Sequence, residues 1–388
     1  MANTFLNIQQ ISRYTLPRLL DNLLMPNLCY KDFSEDFQNG KGNTVLIDKP
    51  IDFTAQDFDG STVGGAGASY NQVAIQNITE NRIAVKLDKM ATVDVDWGSL
   101  VNATSMGEAK TKKILDGMAV ALAEKINAEG MKMATLAGTV LTKDSSTTAS
   151  LDDFGKIRLA MNKNRIATSG RHCVWDVESE NKYVGMGSLV VASNAGDNKA
   201  MREGRIGSIF GMDNYMSQTV LSGTNTADTT GVVITAKEDV YDGGTEITRT
   251  KLTIGSDVSA KFKVGSIFTV GTGTNNYVCS AVTVSGTTTY ITSNVPITES
   301  ITTGTTVIKA PKSAFTCNFA FHEDSLAFIS RPLIKPSSKE SYVTSYNGLS
   351  LRVTRDYDIL TKKEILSMDI LYDYSVIRPE GLVTTVLY

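Results

Sequence analysis

The sequence predicts an α+β protein that carries a small, inserted all-β barrel domain within its framework. Three observations lead there. Apolar and polar residues alternate over Ile83–Leu87, Val93–Trp97 and Leu349–Val353 with the two-residue period of half-buried strands. One long stretch, from about Met106 to about Leu136, has helical spacing instead. Between Tyr215 and Thr316 the composition turns to Thr, Val, Ser and Gly, with neither Trp nor His. At 388 residues the chain exceeds what one compact core usually takes, so several folding units are expected.

Residues 1–36 predict an arm. Ile11, Leu16, Leu19, Leu20, Leu23 and Leu24 have near-helical spacing, but Pro17 and Pro26 are expected to cut the segment into short pieces. Such an arm has too little apolar surface to fold by itself and needs another surface to lie on.

Residues 37–97 predict extended structure. Strands at Val45–Ile47 and Ile83–Leu87 flank the uncharged run Gly60-Ser-Thr-Val-Gly-Gly-Ala-Gly-Ala-Ser69, so the pair reads as a long hairpin with a flexible tip.

Residues 98–145 hold the long helix. Ile114, Leu115, Met118, Ala119, Leu122 and Ile126 form its apolar stripe, with Lys112, Lys113, Asp116, Glu124 and Lys125 mostly off it. Ala, Met, Leu, Lys and Glu are all good helix formers. At about 1.5 Å per residue the element reaches about 45 Å, the length of a spine.

In 146–214 a polar break ending at Ser150 precedes a second helix starting near Asp152. Over 215–316 about six short strands are expected. They are Val232–Thr235, Leu252–Ile254, Ile267–Val270, Tyr277–Val284, Thr288–Ile291 and Thr306–Ile308, separated by turn signals such as Asp242-Gly-Gly244 and Ser285-Gly286. Residues 317–388 return to the framework, with strands through Leu349–Val353 and Leu382–Leu387.

Charge and composition exclude several function classes. With 38 basic and 41 acidic side chains the net charge is -3, which lacks the basic excess of a protein that grips nucleic-acid phosphates. No apolar run reaches the roughly 18–20 residues of a membrane span. Met1–Gln10 does not read as a secretory signal. The scattered Cys29, Cys173, Cys279 and Cys317 are accordingly expected to be buried free thiols in a reducing compartment.

Catalytic chemistry finds no foothold. His172 and His322 are the only histidines. His172 and Cys173 are adjacent, and neighbours on a strand point to opposite faces, which argues against a dyad. His322-Glu323-Asp324 reads as a surface or loop-capping triplet, because consecutive residues rarely converge on one metal ion. There is no Cys-x-x-Cys pair. Gly40-Lys-Gly42 and Gly64-Gly65-Ala-Gly67 lack a phosphate loop's context, and Gly185-Met-Gly187 fails as a dinucleotide fingerprint at its third glycine. Asp94/Asp96 and Asp356/Asp358 alternate with apolar residues, as on the wet face of a strand. Arg202-Glu203-Gly204-Arg205 reads as a salt-bridged turn more readily than as a phosphate contact. No catalytic, cofactor-binding or metal-binding residues are therefore assigned, and no cofactor is expected.

Several local motifs, in order, resemble one family. They are Met1-Ala-Asn-Thr4 with Ile11-Ser-Arg-Tyr-Thr-Leu16, Gly42-Asn-Thr-Val-Leu-Ile-Asp-Lys-Pro50, and Gly204-Arg-Ile-Gly-Ser-Ile-Phe-Gly-Met-Asp-Asn-Tyr-Met-Ser217. Phe321-His-Glu-Asp-Ser-Leu-Ala-Phe328, Gly348-Leu-Ser-Leu-Arg-Val353 with Tyr357-Asp358, and Arg378-Pro-Glu-Gly381 follow. Together they resemble the major capsid (coat) proteins of tailed bacteriophages, specifically the short-tailed-phage group with an inserted domain. The resemblance implies an N-arm (1–36), an E-loop (37–97), a P-domain with the spine helix (98–145), an A-domain (146–214 and part of 317–388) and the insertion (215–316). It further implies hexamers and pentamers assembling into an icosahedral phage head. Scaffolding protein, a portal at one vertex and non-specifically contacted packaged double-stranded DNA are the implied partners, with room for decoration proteins and no membrane. It places the chain in the virion after assembly in the host bacterial cytoplasm. A Lys–Asn cross-link is not expected, since both partners cannot be matched. An encapsulin-like cellular shell, a β-rich binding or adhesion module and an unrecognised enzyme are the alternatives.

Overall fold

The computed structural model describes residues 8–31, 44–48, 55, 82–96, 108–186, 204, 206–241, 248–336, 340–358 and 363–388. Helix α1 (Ile8–Asn22) buries Ile8, Ile11, Ser12, Thr15, Leu16 and Leu19 along one face. Pro17 lies inside this helix, contrary to the expected break. It is exposed, so the hydrogen bond that it cannot donate is missing on the solvent side, where water can take the unpaired carbonyl. Pro26 does act as foreseen at the start of the short α2 (Met25–Leu28).

The spine is α3 (Glu108–Lys132), extended by a 3-10 turn over Met133–Leu136. Leu115, Met118, Ala119, Leu122 and Ile126 are buried, while Lys113, Glu124 and Lys125 face solvent, as the sequence pattern required. The arm lies on this helix. Asn127 accepts from the backbone N–H groups of Leu24 (3.0 Å) and Met25 (3.2 Å) and donates to Asn22 O (3.0 Å). Gly130 makes the approach possible, since a Cβ there would stand 2.9 Å from both Met25 Cβ and Tyr374 Cζ. The surface the arm was expected to need is supplied for residues 8–31 by the chain itself, whose main core takes in their apolar face.

That core fills the space between α1, α3 and a five-stranded antiparallel sheet. Strand Lys363–Val376 is the sheet's axis. Lys89–Asp96 pairs along one of its sides, and Leu349–Asp358 and Leu326–Arg331 pair along the other, with Glu340–Tyr346 outside Leu349–Asp358. The predicted hairpin strands pair as Thr44–Asp48 with Arg82–Lys86, antiparallel, Thr44 opposite Lys86. The glycine-rich tip lies outside the described residues.

A second, mixed sheet runs in the order Thr139–Lys143, Leu382–Leu387, Ala314–His322, Arg171–Trp175, Met212–Met216, Ser208–Ile209, with Ser222–Thr224 paired to the start of Ala314–His322. Helix α4 (Leu151–Lys163) starts where expected, with Ser150 and Asp153 forming a capping box. With α5 (Val177–Val184) it covers one face of this sheet. Phe154, Trp175 and Tyr183 meet there with ring centroids 4.8–5.2 Å apart.

The inserted domain is a third sheet of seven strands with its own core. Ile234 N–H donates to Thr306 O (2.9 Å) and Thr235 N–H to Thr253 O (2.8 Å), so the chain passes directly from one edge strand of the sheet to the other. All six expected strand segments are present. The seventh, Ala236–Tyr241, escaped the sequence reading because Lys237, Glu238 and Asp239 of this edge strand all face solvent and leave no apolar alternation. The expected bounds 215–316 were too wide. Met212–Met216, Ser222–Thr224 and Ala314–Thr316 belong to the mixed sheet, so the insertion spans about 226–312, with Asn225 N–H donating to Ser313 O (2.8 Å) across its base. It docks on the end of the spine through Asn294, whose side-chain amide donates to Ala137 O (2.8 Å), and through Ile267 and Val278, which join the main core. Because Leu252, Ile254, Phe262, Phe268, Tyr277, Ile291 and Ile308 form a separate buried cluster, the fragment 226–312 is expected to fold alone. Circular dichroism and urea titration check this; a fragment without a cooperative transition contradicts it.

Candidate functional site

The residues able to do chemistry are held apart or used for structure. His172 and Cys173 occupy opposite faces of strand Arg171–Trp175. The His172 ring lies 5.9 Å from both Tyr215 and Phe321, whereas Cys173 Sγ faces Met212 Sδ at 3.8 Å. Burial, with Asp213 assisting and Arg171 opposing, pushes the Cys173 thiol up to about 12, so it stays protonated at neutral pH and is a poor nucleophile. All four cysteines are free and buried. His322 caps the short turn Glu323–Ser325, its Nδ1 accepting from Asp324 N–H at 3.2 Å, which is the loop-capping role expected of the triplet. Among the described residues no group of three or more His, Cys, Asp or Glu could hold a metal ion. None of the described helices is long and apolar enough to cross a membrane.

His172 is expected to make stability depend on pH. Burial lowers its pKa from the ordinary 6.5, against Asp213 and Glu323 which favour the cation and beside His322 which disfavours it. Its Nδ1 is enclosed without a protein hydrogen-bond partner. Below 6.5 the unfolded chain takes a proton that the folded chain refuses. Stability is therefore expected to fall as pH drops from 6.5 to the lowered folded value, and to level off beneath it. The slope is at most about 1.4 kcal/mol per pH unit for one proton. Melting temperatures at several pH values, compared between the parent and His172→Phe, check this; an unchanged slope in the variant refutes it.

Asp94 and Asp96 share a face with Asp356 across strand Lys363–Val376. This is the side of the sheet away from the core, where Asp94 is exposed, so the alternating carboxylates mark a wet face. Arg352 stitches that face to Asp369 Oδ2 through Nε (2.9 Å) and Nη2 (2.6 Å). Gly185 ends α5. Gly40, Gly42, Gly64, Gly65, Gly67, Gly187, Arg202, Glu203 and Arg205 lie outside the described residues.

What the geometry does build is a rigid seat for the hairpin. Lys89 follows the hairpin's return strand and reaches Asp373 Oδ1 (3.3 Å) and Glu129 Oε2 (3.9 Å). Lys132 (2.6 Å) and Lys125 (3.4 Å) converge on the other Glu129 oxygen. Burial acts against the Glu129 anion, but Lys132, Lys89 and Lys125 outweigh it and hold the carboxyl below its usual range. At Asp373 burial wins over Lys89, and its pKa is raised. The hairpin root, spine and axis strand are thus tied at one point. Neither Asn127 nor Glu129 was singled out from the sequence. The available signal was that Glu129 continues the apolar stripe three residues after Ile126, a polar residue at a buried position.

No protein-family model matches the sequence, and no curated protein matches it. Solved structures do. A chain from Mycobacterium phage Che8 is 16% identical with a TM-score of 0.52, covering 94% of this chain and 90% of that one. The capsid structure of the cyanophage P-SCSP1u aligns at 11% identity and a TM-score of 0.46, over 91% of this chain and 85% of that one. The asymmetric unit of the bacteriophage PhiM1 mature capsid aligns at 12% identity and 0.46, over 89% and 82%. The chain shares its α+β fold with the Mycobacterium phage Che8 chain over nearly the whole of both molecules.

Proposed function

We propose that this chain is the major capsid protein of a tailed bacteriophage. Its copies assemble as hexamers and pentamers into an icosahedral head that encloses the DNA genome. The observation that supports this reading best is the fold likeness to the Mycobacterium phage Che8 chain, which runs over nearly the whole of both molecules. The ordered capsid-like motifs agree with it. In this reading residues 1–36 are the N-arm and 37–97 the E-loop. Residues 98–145 are the P-domain, the flanking framework is the A-domain, and the barrel is an inserted domain. Scaffolding protein acts during assembly, the portal replaces one pentamer, and DNA is contacted without sequence preference.

Subunit contacts between unlike patches close rings, and rings close shells. Electron microscopy of the full chain, expressed with and without the neighbouring genes of its source, tests the proposal. Closed icosahedral particles are expected. Monodisperse small particles under every condition would sink it, and shells that enclose a protein cargo in place of DNA would favour a cellular compartment.

A further inference from the structure

The chain has two Asn-Gly pairs, Asn39-Gly40 and Asn347-Gly348, and only the second lies among the described residues. Asn347 and Gly348 form the two-residue turn between strands Glu340–Tyr346 and Leu349–Asp358, with φ 51° and 73°. Both values are positive, the type I′ geometry for which Asn-Gly is the favoured pair. The same pair is chemically labile. Glycine has no Cβ to shield its backbone nitrogen, and that nitrogen can close a five-membered ring on the preceding asparagine's Cγ.

Three features leave this turn open to that reaction. The pairing of the strands ends at Tyr346 and Leu349, so the Gly348 N–H stands outside the ladder. Asn347 is exposed and its neighbour Tyr346 is 67% exposed, so solvent reaches the amide. Strand Glu340–Tyr346 is an edge of its sheet among the described residues. Ring closure requires Asn347 to rotate out of the turn, and a strand paired on one side keeps that opening local. The turn also stands where a change is felt. A Cβ on Gly348 would lie 3.5 Å from Lys31 Cβ, at the end of the arm. The same strand holds α1 through Tyr342, whose hydroxyl accepts from Gln9 Nε2 at 3.2 Å, and through Thr344, which bonds Ser12.

We infer that Asn347 is a spontaneous modification site whose conversion loosens the seat of the arm. The Gly348 nitrogen loses its proton to solvent base and bonds to Asn347 Cγ. The Cγ–Nδ2 bond breaks, and the amide nitrogen takes up a proton from water and leaves as ammonia. Water then opens the ring. Attack at Cγ returns an aspartate in a normal backbone, whereas attack at the main-chain carbonyl leaves the backbone running through Cβ and Cγ, one atom longer. The longer path does not fit a two-residue turn, so the pairing next to it parts and takes cover from α1. The inference concerns a single subunit and stands apart from the shell reading.

The test ages the full-length parent and two variants, Asn347→Gly and Asn347→Asp, in mildly alkaline buffer and compares each with its own fresh sample. In the parent, the peptide carrying residue 347 is expected to gain the mass of an amide-to-acid conversion and to accept label from an isoaspartyl methyltransferase. Conversion is expected to be slower in mildly acidic buffer, because the attacking nitrogen must lose its proton. Isoaspartyl chains are expected to melt about 2–4 °C lower than fresh parent and to be cut sooner by protease within residues 8–31. Asn347→Gly tolerates the positive φ and is expected to hold its melting temperature on ageing. Fresh Asn347→Asp carries the new charge on a normal backbone, with a pair that also suits the turn, and is expected to melt with the fresh parent. An aged parent with Asn347 intact, or labelled only at Asn39, overturns the site. Isoaspartyl chains that melt with the fresh parent, or an Asn347→Gly sample that loses as much on ageing, overturn the effect on the arm. Fresh Asn347→Asp melting as low as the aged parent assigns the loss to charge and overturns the backbone route.

Discussion

Deleting residues 1–31 is expected to unfold the subunit, not merely to prevent its copies from associating. The segment contributes Ile8, Ile11, Leu16, Leu19, Leu23 and Met25 to the main core, each no more than 4% exposed. At about 1.5–3 kcal/mol per buried side chain, their loss removes on the order of 10 kcal/mol of gross stabilisation. That matches the whole net stability of a typical domain, about 5–15 kcal/mol. It also strips cover from Leu122 and Ile126 of the spine and leaves the Asn127 amide without its backbone partners. Single substitutions scale the effect. Leu19→Ala is expected to cost about 2–5 kcal/mol, and Asn127→Ala about 2–4 kcal/mol through unpaired buried backbone groups. Urea unfolding measures both. A soluble, cooperatively folding truncation would show that the arm is an accessory after all.

The second large effect is expected at Arg171, which is 2% exposed although it carries a guanidinium. Its Nε donates to Ala167 O (2.6 Å), and its Nη2 donates to Ile166 O (2.7 Å) and Asn162 Oδ1 (2.8 Å). These acceptors belong to the end of α4 and the connection that follows it, where helix carbonyls lack intrahelical donors. Burial and the nearby Arg158 make the charged state costlier than usual, so removing the cation returns part of what is lost. The net cost of Arg171→Met is expected to be about 1–3 kcal/mol, because three partly solvated oxygens lose a charged donor together. Arg171→Lys keeps the charge but not the fork, and falls between parent and Met variant. Thermal or urea unfolding within about 0.5 kcal/mol of the parent for Arg171→Met would contradict this role.

The elements that could be read from the sequence are those whose physics is local. The spine stripe, the Ser150 cap, the alternation over Leu349–Val353 and the Thr/Val/Gly composition of the insertion all express a period or a turn rule within a short window. The elements that could not be read depend on distant partners. Pro17 sits in a helix because burial of Leu16 and Leu19 against α3 outweighs a local breaker. Ala236–Tyr241 is a strand because Thr248–Ile254 pairs with it, although its own side chains are charged and exposed. The same holds for the candidate site. That His172 and Cys173 diverge follows from strand geometry and was legible in advance. The convergence of Lys89, Glu129 and Asp373 joins residues far apart in the chain and has no signature beyond one acidic residue at an apolar position.

The seating of the arm has a consequence for the order of events during synthesis. Gln9 bonds Tyr342 and Ser12 bonds Thr344, pairs separated by 333 and 332 positions. During synthesis α1 thus waits for strand Glu340–Tyr346 before its apolar face is covered. Long-range closure of this kind is slow, and the nascent chain holds an unfinished main core throughout translation. The inserted sheet is different, since all seven of its strands are made by Ala310, ahead of the framework strands from Ala314 to Leu387. It is therefore the part able to fold while the ribosome is still at work. The main core, by contrast, closes only once strands Lys363–Val376 and Leu382–Leu387 have been made, because both contribute buried residues to it.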